Sequence, residues 1–373
     1  MKKNATINVF IGSGLTNWVK VLVRNRFRVS LKKLPVALMI TFISFFNSVL
    51  FWIEYALLGF WISRVKIQEP PVFILGHWRS GTTLVYELFN LDRRNVCPTT
   101  WDCFAANHFL LTGWLLKPFF SHLLPAKRPQ DNMAVTMDLP QEDECAMGCL
   151  GAAAPYMHFL FPDSREAYFS IYDIEQQNKK AQKKWRRVYL WFVKRMLFKK
   201  PGRFVSKSPT HTLRIKTLLK LFPEARFVYM LRNPFDVFRS TVKLYQSMYR
   251  EYHVSAYSEV GLNDFVIRLY SEMNRKFEQT RKLIPPNHYC EVRYEDLVEN
   301  PDREMRRLYQ TLNLGDYDTS LAKALEAYFN ERSGYRKNRF QQTSTLPLDI
   351  KKKLAFFAGR QGYAEHGYKH HSH

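Results

Sequence analysis

Gly76, Arg79, Gly81, Thr82 and Thr83, within the stretch Pro71–Leu84 (PVFILGHWRSGTTL), have the types and spacing to hold a tetrahedral anion. The two glycines flank His77, Trp78, Arg79 and Ser80 and make a phosphate-binding turn, whose following helix start offers unpaired backbone N–H groups to a negative charge. The spacing is that of G-x-x-x-x-G-K-[ST], except that Thr82 stands where the lysine for the β- and γ-phosphates would be. Arg79 brings a cation in from inside the loop instead. A P-loop nucleotide-dependent kinase is thus the competing enzyme, weakened by Thr82 in the lysine position, and an anion held by arginine, hydroxyls and amides is the leading reading.

Further groups of this kind recur downstream. Lys207 stands in KSPTH, Arg232 opens RNPFDVFRS with Ser240 eight residues on, and Tyr294 leads YEDL. Between the loop and these turns lies the run Asp138-Leu139-Pro140-Gln141-Glu142-Asp143-Glu144. It predicts a helix start with Asp138 as N-cap and Pro140 near the first helical position. Glu142, Asp143 and Glu144 then fall in the first turn, where they complement the helix dipole whether or not they also do chemistry.

The elements that must position these residues alternate. Val72–Leu75, Phe204–Val205, Ala225–Leu231 and Tyr289–Val292 read as buried strands, with helices over Gly81–Leu91, Leu213–Phe222, Phe235–Met248 and Asn263–Leu283. Strands separated by helices predict an α/β fold with a parallel sheet, and its ligand belongs beyond the strand carboxyl ends. The Arg79, Lys207, Arg232 and Tyr294 turns all fall there. Residues 92–200 show no such alternation and read as a helical cap or insertion. Within them Lys179–Lys200 carries ten basic residues interleaved with aromatics at helical spacing, which predicts a surface helix with its apolar face on the core rather than a nucleic-acid-binding module.

Taken in order, these motifs resemble the sulfotransferases that use 3′-phosphoadenosine 5′-phosphosulfate (PAPS), over most of residues 70–310. The resemblance implies a P-loop-type three-layer domain in which Gly76, His77, Trp78, Arg79, Ser80, Gly81, Thr82 and Thr83 hold the 5′-phosphosulfate. It also implies that Lys207 approaches that group, that Arg232 and Ser240 hold the 3′-phosphate, and that Tyr294 lies near the adenine. The reaction it implies moves a sulfuryl group to a hydroxyl or amine of a lipid, glycan or small molecule, without a metal. Two departures bear on detail. The small cytosolic members carry Lys-Thr-His, whereas His211 here is displaced by two from the matching position. Their C-terminal glycine-rich motif is also absent, with Arg336 in Ser333–Asn338 standing as a replacement. The chain more closely resembles the bacterial and Golgi-type branch, where a glutamate is commonly the base. Glu142 and Glu144 therefore lead His108, His211 and Asp102 as candidates for that role.

With 46% apolar and 15% aromatic residues the chain is a folded protein, and its 56 Lys and Arg against 33 Asp and Glu suit an anionic small molecule or membrane surface. Its five cysteines show no paired spacing and read as reduced, packed thiols. Residues 1–33 hold eight basic residues and no acid, and Leu34–Ser63 then holds one charge, Glu54. Residues 1–66 thus read as a basic, hydrophobic, membrane-associating segment ahead of a domain at 67–373 that, by the resemblance, is a sulfotransferase domain. Leu34–Ser63 is long enough to span a bilayer and also suits an interfacial helix. The large domain is expected on the cytoplasmic side of an anionic membrane, with a single span and a lumenal domain as the alternative. A non-catalytic nucleotide-binding scaffold is the reading from outside enzymology.

Overall fold

The computed structural model describes residues 9–122, 136–331, 346–364 and 367–368. The sheet has five strands: β1 (Val72–Gly76), β2 (Asn95–Val96), β3 (Arg203–Lys207), β4 (Arg226–Leu231) and β5 (Tyr289–Arg293), in the order β2-β3-β1-β4-β5. Every neighbouring pair is parallel, with Val72 opposite Val205 on one side and Arg226 on the other. β1 is therefore central and wholly buried, which is why VFILG is apolar on both faces rather than alternating.

Successive β1 side chains enter different layers. Val72 and Ile74 pack with α3 (Thr82–Leu91), α12 (Tyr294–Glu299), α13 (Pro301–Thr311) and α14 (Lys323–Glu331). Phe73 and Leu75 pack on the opposite face with α8 (Lys179–Lys199), α9 (Ile215–Leu221), α10 (Pro234–Tyr252), α11 (Leu262–Thr280) and α15 (Leu348–Arg360). The helix that follows β1 thus covers one face, and the helix that follows its neighbour β3 covers the other. Adjacent strands whose chains leave to opposite faces open a crevice at their carboxyl ends. Gly76 ends β1 and Lys207 ends β3.

The predicted strands and helices are present, with three corrections. Residues 92–200 do contribute a strand, β2, but two residues are too few to carry a periodic signal; its place comes from pairing Asn95 with Arg203. The segment otherwise forms the helical cap: α4 (Thr100–Phe104), α5 (Phe109–Ser121), α6 (Asp143–Cys149), α7 (Arg165–Tyr172) and α8. The second correction concerns the start of α6. Glu142, not Asp138, is the residue before its first turn, while Asp138 is an exposed turn residue paired with Lys117. Pro140 instead bridges to Thr99, and Gln141 N donates to the Pro98 carbonyl, contacts with the segment entering α4 that hold this stretch out of the helix. The third concerns α8, whose basic residues are not all solvated, since Arg195 is completely buried against Glu54.

Ahead of the sheet stand α1 (Leu15–Arg24) and α2 (Leu34–Ser63). Phe10, Trp18, Val21, Ala37 and Ile40 join the same core as the cap and the α8–α11 layer. All five cysteines are free and buried, as their spacing predicts.

Candidate active site

The loop between β1 and α3 has a conformation only its sequence permits. Gly76 and Gly81 have φ of 134° and 98°. A Cβ at Gly81 would stand 2.4 Å from the Tyr294 ring, and one at Gly76 would stand 2.8 Å from Ser80 Oγ. Arg79, at φ 69°, is left-handed without being glycine, a conformation that costs free energy and collects at binding sites. The turn is closed by Ser80, whose N–H and hydroxyl both donate to the His77 carbonyl. It is tied to the next strand connection by Thr212, which accepts from Gly76 N at 2.9 Å and donates to Gly76 O at 3.1 Å. Gly81 precedes the first turn of α3, so the amides there face the loop's concavity.

On one side of the loop Arg79 Nε donates to Ser240 Oγ at 2.8 Å, and Arg232 Nη1 donates to the Arg79 carbonyl at 3.0 Å. The Arg232 guanidinium lies 4.3 Å from the centre of the Tyr294 ring, and its Nε is buried with no hydrogen-bond acceptor among the described residues. Arg79, Arg232, Ser240 and Tyr294, each singled out in the sequence, form one corner. The Nε atoms of Arg165, Arg195, Arg214 and Arg239 are unmet in the same way, so what sets Arg232 apart is its place beside Arg79 and Ser240, a donor set of the kind that holds an anion.

On the other side Lys207 Nζ donates to Glu142 Oε1 at 2.7 Å and to Thr83 Oγ1 at 3.3 Å. Glu142 Oε2 accepts from the Tyr156 hydroxyl. That hydroxyl accepts in turn from Trp78 Nε1 at 2.9 Å. Trp78 is packed edge-on to Tyr172 and Tyr245. A closed circuit thus joins loop, cap and β3 through Trp78, Tyr156, Glu142, Lys207 and Thr83. Burial against Glu142 pushes the Tyr156 phenol well above its ordinary range, so it stays a donor.

The two carboxylates after Glu142 go elsewhere. Asp143 Oδ2 accepts from Ser206 at 2.5 Å and Tyr189 at 2.7 Å, and stands 2.9 Å from His211 Nε2. Burial pushes the Asp143 carboxyl up, but His211 and the two hydroxyls outweigh it and hold the group below the ordinary carboxylate value. Glu144 takes Arg214 through both oxygens, at 2.6 and 3.2 Å, and Thr210 at 2.6 Å, with no exposed surface on either partner of the ion pair. Only Glu142 reaches Lys207.

Two other base candidates are not brought here. His108 shares its ring nitrogens with Thr112 and Asn47, and burial holds it neutral, down to about 4. Asp102 caps α4 and pairs with Lys199 at 2.7 Å. His77, within the loop, has its ring buried, with Nδ1 3.0 Å from the Trp78 carbonyl, and burial pulls it down to about 4. Arg336 lies outside the described residues.

Sequence reasoning passed over Tyr156 and Thr212. Tyr156 comes from a single 3₁₀ turn, Pro155–Phe159, in a part of the cap with no motif; a proline opening a short aromatic turn was its only signal. Thr212, one residue past the base candidate His211, reads as an ordinary turn residue.

A three-layer α/β domain with a glycine loop, an arginine corner and a lysine–glutamate pair at the carboxyl end of its sheet defines a group-transfer enzyme acting on an anionic donor. The Sulfotransferase family profile matches residues 70–318, and the chain belongs to that family. It is 35% identical over 358 residues to the omega-hydroxy-beta-dihydromenaquinone-9 sulfotransferase Stf3 of Mycobacterium bovis (strain ATCC BAA-935 / AF2122/97), covering 96% of this chain and 92% of that protein. The protein of the same name from Mycobacterium tuberculosis (strain CDC 1551 / Oshkosh) matches to the same extent. Its fold is similar to the crystal structure of sulfotransferase STF9 from Mycobacterium avium, with a TM-score of 0.68 at 16% identity over 95% of this chain and 98% of that one. STF1 from Mycobacterium tuberculosis H37Rv aligns with a TM-score of 0.59 at 16% identity, over 93% and 94% of the two chains. The chain is a sulfotransferase.

Proposed function

We propose that the sulfuryl donor is PAPS, that the acceptor is a hydroxyl on a membrane lipid, and that the large domain works on the cytoplasmic side. The single observation that carries the reading is the Glu142–Lys207 pair beside the Gly76–Thr83 loop. A carboxylate and an ammonium side by side at that loop support a base and a cation acting there. The donor fits the residues present: the Gly76 and Gly81 cradle has no room for a Cβ, and Arg79, Arg232 and Ser240 are joined beside it. Arg79, Ser80, Thr82, Thr83 and Lys207 would hold its 5′-phosphosulfate, and Arg232 and Ser240 its 3′-phosphate. When bound, PAPS supplies an activated sulfuryl group whose leaving group is a phosphate.

The chain's own residues do the rest. Glu142 accepts the acceptor hydroxyl's proton at Oε1, the oxygen it now shares with Lys207. Tyr156 keeps Oε2 occupied and so fixes which oxygen works. Lys207 lies within reach of both Oε1 and Thr83, so it can pass from the base to the loop and meet negative charge there. Trp78 and Tyr156, both buried, keep water from the far side of Glu142.

The name of the 35% identical relatives, an omega-hydroxy-dihydromenaquinone sulfotransferase, supports a hydroxylated apolar lipid as acceptor here. The apolar α2 and the basic segment before it support a membrane location. Labelled sulfate supplied as PAPS should pass to a hydroxylated lipid in an extract of the source cells, and Glu142→Gln should slow the transfer by about 10²–10⁴-fold. Wild-type protein that labels no lipid but labels a water-soluble glycan would overturn the acceptor. Unaffected transfer by the variant would overturn the base.

A further inference from the structure

Leu34–Ser63 reads two ways in the sequence, as a span or as an interfacial element, and its packing separates them. α2 has thirty residues, about 45 Å at ~1.5 Å per residue, against roughly 30 Å of hydrocarbon in a bilayer. Ala37, Ile40, Ser44, Asn47, Glu54 and Ile62 are buried along it, a stripe at helical spacing that runs almost from end to end. One side of the helix is therefore seated on the enzyme over its whole length.

That seat is polar and specific. Trp18 Nε1 donates to Thr41 at 2.8 Å. Asn47 donates to the carbonyls of Ile11 and Ser13, and Ser48 accepts from Leu15 N at 2.8 Å. Glu54, 3% exposed, pairs with the fully buried Arg195 and accepts from Leu110 N and Leu111 N at 3.0 and 2.9 Å. Near the end of α2, Lys194 donates to the Ser63 carbonyl. To cross a bilayer, α2 would have to abandon all of these and carry Glu54 and Asn47 unpartnered into hydrocarbon, or draw the cationic α8 in with it.

The other side is apolar and bare. Leu38, Phe42, Phe45, Trp52, Leu57 and Phe60 are each more than half exposed. Trp114 and Phe119 of α5, the helix whose first turn Glu54 caps, are 78% and 62% exposed as well. Arg24, Arg26, Arg28 and Lys32 lie exposed before α2, and Arg64 and Lys66 lie exposed after it. Cations at both ends of an apolar strip match anionic headgroups around an inserted face. They also oppose pairing with a second copy, since antiparallel pairing of two such strips would bring arginines and lysines against their like.

We propose that α2 lies in the plane of an anionic membrane as a monotopic platform, its Phe- and Trp-bearing face in one leaflet and its Glu54 face on the enzyme, and does not span. The inference rests on the membrane location proposed above but not on the donor or the acceptor, so its test uses neither. The purified protein should float with phosphatidylglycerol-containing vesicles, and less with pure phosphatidylcholine. Phe45→Glu/Trp52→Glu, at exposed positions, should lower partitioning at least about tenfold while the fold is kept. Because the native cysteines are buried, Lys32→Cys and Lys66→Cys report topology cleanly in membranes from expressing bacteria. Both should react with an impermeant maleimide from the cytoplasmic face. Reaction from opposite faces would overturn the in-plane placement and leave the sulfotransferase reading intact. A folded wild-type protein that fails to float, or that buries the Phe45 face in a stable dimer instead, would overturn the membrane as partner.

Discussion

Lys207 Nζ stands 2.7 Å from Glu142 Oε1, joining the last residue of β3 to the residue before α6. The next two carboxylates repeat the connection along the same segment, Asp143 to Ser206 and His211, Glu144 to Thr210 and Arg214. Three consecutive acids thus lock the start of α6 to the end of β3. Only the first is set where the loop can be reached. The inner two fix the position of the outer one, so the pair at the mouth of the crevice is held by its own neighbours.

Glu142→Gln should lower kcat by about 10²–10⁴-fold, the usual contribution of a general base, while affinity for adenosine 3′,5′-bisphosphate changes little. Tyr156→Phe should act in the same direction but more weakly, since it frees Oε2 without removing the base. Rapid-quench kinetics with calorimetry on both variants separates the effects. Equal losses in kcat and nucleotide affinity would count against a base role.

Glu144→Gln should behave differently. Its ion pair with Arg214 has no exposed surface on either side, and removing one partner of such a pair costs about 3–5 kcal/mol of stability. Urea denaturation should show that loss. Folded protein at low temperature should keep most of its kcat, and a fold-competent variant without activity would move the base to Glu144.

Arg232→Ala should weaken binding of adenosine 3′,5′-bisphosphate by roughly 10–100-fold, as expected for loss of a charge-assisted contact worth about 1.5–3 kcal/mol. Arg232→Lys should recover little, because a point charge does not replace a fork stacked on Tyr294. Titration calorimetry without added metal checks both, and unchanged affinity in the folded alanine variant would exclude the assignment.

Stability should fall as the solution is acidified from neutrality. Burial holds His77 and His108 down to about 4 and His158 down to about 3, while the same residues in the unfolded chain protonate near 6.5. Between about pH 6.5 and 4 the unfolded state therefore binds more protons, so stability is complete above that window and is lost as pH drops through it. Each histidine contributes on the order of 2 kcal/mol at pH 5. Denaturation midpoints measured from pH 7.5 to 5 should decline steeply, and His158→Gln should flatten the slope by about one proton. A flat profile would contradict the burial of these rings.

Local chemistry made part of this protein legible in one dimension. Two glycines with four residues between them set up a tight turn, and a short apolar run bounded by such turns fits a strand covered on both faces; the loop, the four longer strands and the Arg232–Ser240 spacing follow from such short-range rules. Which carboxylate meets Lys207 does not. Glu142, Asp143 and Glu144 are equivalent as a run, and the turn of the chain at Pro140 sends one to the crevice and two to the interior. Tyr156 and β2 were hidden for the same reason, since their roles come from partners far along the chain. The apolar content of Leu34–Ser63 likewise measures how much hydrocarbon the helix could tolerate. Only the buried stripe through Asn47 and Glu54, and the partners waiting for it on α1, α5 and α8, give that helix a side it must keep on the enzyme.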